Sequence, residues 1–237
     1  MNTIQPGTRQ EAEVFSSGIK MSWDLAEGVG YRLYRSTSKN ELGNSVTDFI
    51  VTSTSYADVN VQSNTTYYYT VKPILSEASP SRGLGEEIGD VIATFVATTD
   101  NEIFRSGSQK RFIVLQVDNP MMSVGGIKEE VDPGRATSPI IIEGRTMVPI
   151  RAIVEAMDGS LGWEGDTQKI TLDARGKKVE MWIGETSIKV NGATKNMDVA
   201  PTIQNERTYV PLRFAAENLD ANIDWIGPTR EVVIAYD

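Results

Sequence analysis

The sequence contains neither cysteine nor histidine. Without thiolates there are no disulfides, no Fe–S clusters and no cysteine nucleophile. Without imidazole the chain lacks the usual general base near neutral pH and the commonest metal ligand. That excludes Ser/His/Asp and Cys/His nucleophile systems, His-ligated zinc and copper centres, and HExxH hydrolases. Carboxylate-only chemistry and oxygen-ligated cations such as calcium survive the filter. Long apolar runs are missing too, none approaching the roughly 20 residues of a membrane-spanning helix. Met1 to Gln10 is polar, with Pro6 and Gly7, and does not read as a signal peptide. The expectation is either an intracellular chain or a mature fragment whose export signal has been removed, with no membrane insertion. Basic residues are scarce, 23 Lys and Arg against 32 Asp and Glu, a net charge of -9. Such a chain repels a nucleic acid duplex on average, and no local Lys/Arg cluster offsets this, so nucleic acid is not expected as a partner.

What is present suggests two cores, the ordinary outcome for 237 residues. From Glu11 to Thr98 the pattern is short alternating runs rich in β-branched and aromatic residues, separated by Gly, Asn, Ser and Asp. Ile19, Met21 and Trp23 fall on one strand face. Tyr31 to Arg35 follows the Gly28 to Gly30 turn, and Phe49 to Val51, the Tyr56 and Asp58 corner, Tyr67 to Val71 and Val91 to Ala97 complete the set. This spacing predicts an all-β immunoglobulin-like sandwich over 11–98. A polar stretch, 99–110, reads as a linker.

Beyond the linker the chain repeats itself. Arg145-Thr-Met-Val-Pro-Ile-Arg151 recurs 62 residues later as Arg207-Thr-Tyr-Val-Pro-Leu-Arg213, and Glu155, Asp158, Trp163 and Gly165 recur as Glu217, Asp220, Trp225 and Gly227. Upstream, Ile113, Leu115 and Val117 match Val179, Met181 and Ile183, with Val124-Gly-Gly126 against Val190-Asn-Gly192. An insertion near Pro133 to Thr137 changes the offset from 66 to 62. Each repeat, about 111–173 and 177–235, reads as antiparallel strands with one short helix. Pro149 and Pro211 suit the first helical position. Ile150, Ile153, Val154 and Met157, and likewise Leu212, Ala215, Ala216 and Leu219, form one apolar helix face. The expected second domain, 111–237, is therefore α+β with two internal repeats.

Two resemblances follow from these residues. Ile19-Lys-Met-Ser-Trp23, Gly30-Tyr-Arg-Leu-Tyr-Arg35 and Val61 to Val71 resemble a fibronectin type III domain. That likeness implies a core Trp23 and a corner Tyr67, six residues after Val61, whose hydroxyl bonds to nearby backbone. Gly144-Arg-Thr-Met-Val-Pro-Ile-Arg151 and Glu206-Arg-Thr-Tyr-Val-Pro-Leu-Arg213, each followed by a helix and a Trp strand, resemble the copper amine oxidase N-terminal-like or stalk domain. Members of that family are frequent in exported and cell-wall proteins of Gram-positive bacteria. The name does not imply copper here, because copper needs imidazoles that the chain lacks.

Both resemblances imply a non-catalytic module region of a bacterial secreted or cell-surface protein, acting in spacing, assembly or adhesion. The alternatives are a glycan-binding accessory region of a cell-wall or polysaccharide-active enzyme, and a virion surface protein. Cell-wall polysaccharide or another surface protein is the expected partner; no enzyme activity, cofactor or metal is expected. Trp182, which is not repeated and faces Gln116 in the alignment, is the candidate for stacking on a sugar, with Tyr34 and Tyr68. Trp163 and Trp225, being repeated, are expected in the core. Arg145 and Arg207 are candidate anion contacts, while Arg151 and Arg213 are expected to pair with Glu155 and Glu217 at i, i+4. Asp220, Asn222, Asp224 and Glu231 have calcium-loop spacing, but Trp225 stands where that loop needs glycine. Asn64-Thr65-Thr66 fits either a glycosylation triplet or a simple turn.

Overall fold

The computed structural model describes residues 11–101 and 111–237. The expectations for Met1 to Gln10 and for 102–110 lie outside the described residues. The chain is mostly β, 51% strand and 7% helix, in several antiparallel sheets. Contacts divide it into two compact units, one reaching Arg111 and taking in Gly125–Lys128, the other comprising Phe112–Val124 and Glu129–Asp237.

The first unit holds β1 (Glu11–Phe15), β2 (Gly18–Ser22), β3 (Gly30–Ser36), β4 (Asn44–Ser45), β5 (Ser55–Asp58), β6 (Thr66–Ser76), β7 (Glu87–Ile88) and β8 (Ala93–Thr98). One sheet has the order β1-β2-β5; in the other, β4-β3-β6-β7, β8 also pairs with β6. Along β6 the side chains of Tyr67, Tyr69 and Val71 are buried and those between them half-buried, the period-two signature of a strand covered on one face. Trp23 meets Tyr31 edge to face, 5.4 Å between ring centres. Tyr67 accepts a hydrogen bond on its hydroxyl from the Gln62 N–H at 2.8 Å. The expected strand at Phe49 to Val51 is reduced to a single bridge between Val51 and Tyr31, with Phe49 exposed. The Arg32 guanidinium donates to the carbonyls of Thr47 and Phe49, so side-chain bonds replace a ladder there. Asn64 lies in a turn with φ 50°.

The second set of elements is β9 (Arg111–Gln116), β10 (Met121–Val124), β11 (Ile127–Glu130), β12 (Ile140–Ile142), β13 (Arg145–Pro149), α1 (Ile150–Ala156), β14 (Ser160–Glu164), β15 (Lys169–Ala174), β16 (Lys177–Trp182), β17 (Ser187–Val190), β18 (Ala193–Asn196), β19 (Thr202–Gln204), β20 (Arg207–Pro211), α2 (Leu212–Glu217), β21 (Asn222–Ile226) and β22 (Glu231–Tyr236). Two five-stranded sheets run β11-β10-β9-β22-β21 and β14-β15-β16-β17-β18, and a four-stranded sheet runs β12-β13-β20-β19. At the middle of the last, Val148 faces Val210, flanked by Met147 opposite Pro211 and Pro149 opposite Tyr209.

Each helix starts one residue later than its proline suggested. Pro149 and Pro211 stay extended, with ψ of 95° and 114°, as the last residues of β13 and β20, and helix begins at Ile150 and Leu212. A proline can end a strand without surrendering a ladder donor, since it has no N–H. The helix faces read from the sequence, Ile150, Ile153, Val154, Met157 and Leu212, Ala215, Ala216, Leu219, are all buried in one core with Ile113, Val148, Ile170, Val179, Val210 and Ile234. Asp158 and Asp220 close the helices in the left-handed region, and the following N–H groups return to Val154 and Ala216. Gly159 has no room for a side chain: a Cβ would stand 2.5 Å from that of Ala174.

Candidate functional site

Helix α1 packs on β14 and α2 on β21. Because β14 and β21 are edge strands of their sheets, one flank of each stays uncovered, and a cleft opens there beside each helix. One cleft, about 640 Å³, runs between Trp225, α2 and β13; the other, about 520 Å³, runs between Trp163, α1 and β20. Both volumes fall in the range of small-molecule sites, roughly 300 to 1,000 Å³.

The lining of one cleft reproduces that of the other at the repeat spacing. Trp225, Arg213, Glu217, Ile223 and Arg145 line the first; Trp163, Arg151, Glu155, Leu161 and Arg207 line the second. Each cleft therefore takes its tryptophan and helix from one repeat and its β-strand arginine from the other. Beyond each tryptophan, the backbone of Gly165 or Gly227 approaches the indole, with Nε1 3.7 Å from where a Cβ would be.

Both β-strand arginines are engaged. Arg145 donates to Asp198 Oδ2 through Nη2 at 2.7 Å and Nε at 3.2 Å, and Arg207 donates through Nε to Asp132 Oδ2 at 2.6 Å. Asp132 also accepts from Thr137. Partial burial works against its ionisation, but the bonds from Arg207 and Thr137 and the nearby guanidinium charges prevail, holding the carboxyl below its usual range. Arg151 reaches Glu155 at 3.6 Å, as the i, i+4 spacing implies. The second such pair is not formed: among the described residues no ion pair joins Arg213 to Glu217. Glu217 is the last residue of α2, and an exposed pair of this kind contributes only a few tenths of a kcal/mol, too little to fix two long side chains.

The tryptophans correct the sequence reading. Trp163 and Trp225 are 45% and 44% exposed, not core. Repetition of a residue requires an equivalent environment, and on an edge strand that environment is a cleft wall. Trp182 is half-buried at the end of β16, with Lys189 Nζ 5.9 Å from its ring centre. Its sequence counterpart Gln116 donates to the Thr229 carbonyl at 2.9 Å. Tyr34 and Tyr68 are half-buried on β3 and β6 and lie diagonally across that pair, since Tyr34 faces Thr70 and Tyr68 faces Ser36. The structure brings neither of them, nor Trp182, into the two clefts. Asp220 is paired with Lys177 at 3.1 Å, while Asn222 and Asp224 belong to β21, so the calcium-loop spacing is spent on a strand.

A further titratable cluster sits in the first unit. The buried Asp58 accepts from Arg35 at 2.7 Å, Tyr69 at 3.0 Å and the Asn60 N–H at 3.0 Å. Burial first, then the Asp58 charge, raises the Tyr69 and Tyr56 hydroxyls well above their ordinary range. The bonds from Arg35 on β3 and Tyr69 on β6 to Asp58 on β5 tie the three strands together, which is a structural role.

Residues 127–234 match the family model of the copper amine oxidase N-terminal domain. The chain carries that domain. Both clefts lie within the matched segment. Such domains are typical of bacterial surface or secreted proteins. No curated protein and no solved structure matches the chain. Despite the domain's name, the donor set does not fit copper: the chain has no imidazole or thiolate, and among the described residues no three carboxylates converge. No helix among the described residues is long and apolar enough to cross a membrane.

Proposed function

We propose that this chain is a non-catalytic module region of a bacterial secreted or cell-surface protein, serving adhesion or assembly. The observation that carries the reading is the copper amine oxidase N-terminal domain at 127–234, a domain typical of proteins in that setting. The composition agrees with it, since the groups that most often perform nucleophilic and acid–base catalysis are missing. In this reading the first unit is an immunoglobulin-like sandwich of the fibronectin type III kind. The Trp23–Tyr31 contact and the Tyr67 hydroxyl bonded five residues upstream support it. The second unit is two interleaved repeats, each five-stranded sheet combining three strands of one repeat with two of the other. The matching strand orders and the self-complementary Val148–Val210 junction support that arrangement.

Protease treatment of intact cells of the organism that makes the protein tests the assignment. The expected result is cleavage of the protein without lysis, or its recovery from the medium. Full protection until the cells are lysed overturns the surface reading.

A further inference from the structure

We infer that the two clefts of the second unit are a duplicated binding site for uncharged pyranose oligosaccharide, with Trp163 and Trp225 as the stacking platforms. The inference rests on the surface-adhesion reading and gives it a ligand class. Three observations carry it.

First, an indole left nearly half exposed in a concave site is a flat apolar surface without a partner. The C–H face of a pyranose fits it, burying apolar area on both sides. Second, the polar groups around each indole are balanced. The Trp225 cleft holds Arg145 with Asp198 and Arg213 with Glu217; the Trp163 cleft holds Arg207 with Asp132 and Arg151 with Glu155. The additional carboxylate of Glu206 in the second cleft is matched by Arg135 at 3.5 Å. Neighbouring guanidinium donors and carboxylate acceptors suit sugar hydroxyls, each of which both donates and accepts. An anionic ligand would meet the carboxylates and a cationic one the guanidiniums. Third, the site occurs twice, and the repeat partners of both its apolar and its polar parts are retained together. Packing alone does not call for an exposed tryptophan at both places.

The clefts are not identical, and the difference sets an order of affinity. Phe214 lines the Trp225 cleft where the Trp163 cleft has Ala152, and Arg213 and Glu217 are not held by one another. The larger aromatic wall and the uncommitted polar pair make the Trp225 cleft the stronger site.

The test uses the full chain with chitotetraose and cellotetraose as probes. The chain has 4 tryptophans, so its indole N–H groups report individually in a nitrogen-15 correlation spectrum, assigned with single Trp→Phe variants. The expected result is movement of the Trp163 and Trp225 signals with at least one probe at low millimolar concentration, Trp225 saturating first, and two sugars bound per chain by calorimetry. Trp225→Ala and Trp163→Ala should each leave one site, and the double variant should bind at least tenfold more weakly. Arg213→Gln keeps the indole and should weaken the Trp225 site alone, which covers an alanine variant that fails to fold. Unmoved Trp163 and Trp225 signals with both probes, or movement confined to Trp182, overturns the proposal. So does displacement of these signals by a proline-rich peptide but not by sugar, which assigns the clefts to a protein partner. A surface-exposed protein with silent indoles refutes the clefts and spares the surface reading, whereas a protease-protected protein refutes the surface reading itself.

Discussion

Val148 lies directly opposite Val210 where β13 pairs with β20, and neither side chain reaches solvent. The flanking pairs, Met147 with Pro211 and Pro149 with Tyr209, are each other's counterparts at the repeat spacing. This short junction sets β13 beside α2 and β20 beside α1, which is how each cleft comes to be walled by residues of both repeats.

The junction should therefore couple energetically. Val148→Ala and Val210→Ala remove methyl groups from the same packed spot, each expected to cost about 1 to 3 kcal/mol. Chemical denaturation of the two single variants and the double should show a non-additivity of about 0.5 kcal/mol or more, as for residues in contact. Strict additivity would mean the valines pack on separate neighbours.

The exposed tryptophans should be far less costly to remove than core ones. A buried tryptophan replaced by alanine loses about 3 to 5 kcal/mol. With nearly half of each indole in solvent, Trp163→Ala and Trp225→Ala should each lose about 2 kcal/mol or less. Thermal unfolding measures this, and a loss in the core range for either would place that indole inside.

The helices and their buried faces were legible because four apolar residues at helical spacing admit one burial solution, and strands in the first unit were legible from alternation. The exposure of Trp163 and Trp225 was not. Local sequence records that Trp163 and Leu161 share a strand face, but not that β14 is the edge of its sheet. Edge position depends on whether any strand of the chain pairs with the other flank of β14, and β14 stands at the end of the order β14-β15-β16-β17-β18. The ion pairs Arg145–Asp198 and Arg207–Asp132 span 53 and 75 residues of sequence, so the arginines read as open anion contacts until the fold supplied their carboxylates. Trp182, unrepeated in the sequence, lines neither cleft, whereas the repeated Trp163 and Trp225 each wall one.

Glu206 stands in the turn between β19 and β20 at φ 63°, where its repeat counterpart Gly144 has φ 73°. A residue with a Cβ is strained in the left-handed region by about 1 to 2 kcal/mol, and glycine is not. The strain outweighs both the exposed contact with Arg135 and the greater freedom of glycine in the unfolded chain. Glu206→Gly should accordingly raise stability by up to about 1 kcal/mol, seen as a higher denaturant midpoint with an unchanged slope. A lower midpoint would show that the contact with Arg135 or the chain entropy dominates.

The Arg207–Asp132 pair should make stability depend on pH in a definite direction. The folded-state pKa of Asp132 is lowered, so its ionised form is favoured by folding. The resulting stability is fully present above the unfolded carboxyl value of about 3.9 and is lost as pH falls through the lower folded value. Arg207→Gln removes the charged partner and should cost about 1 kcal/mol near pH 7. As pH falls below about 4 and on through the lowered folded value, Asp132 becomes protonated and the gap should narrow. Other carboxylates titrate in the same range, but they are common to both proteins and cancel in the difference. Denaturation curves of the two proteins from pH 7 to pH 3 decide it: a gap that stays constant to the acid end would mean that Arg207 contributes through packing of its stem rather than through Asp132.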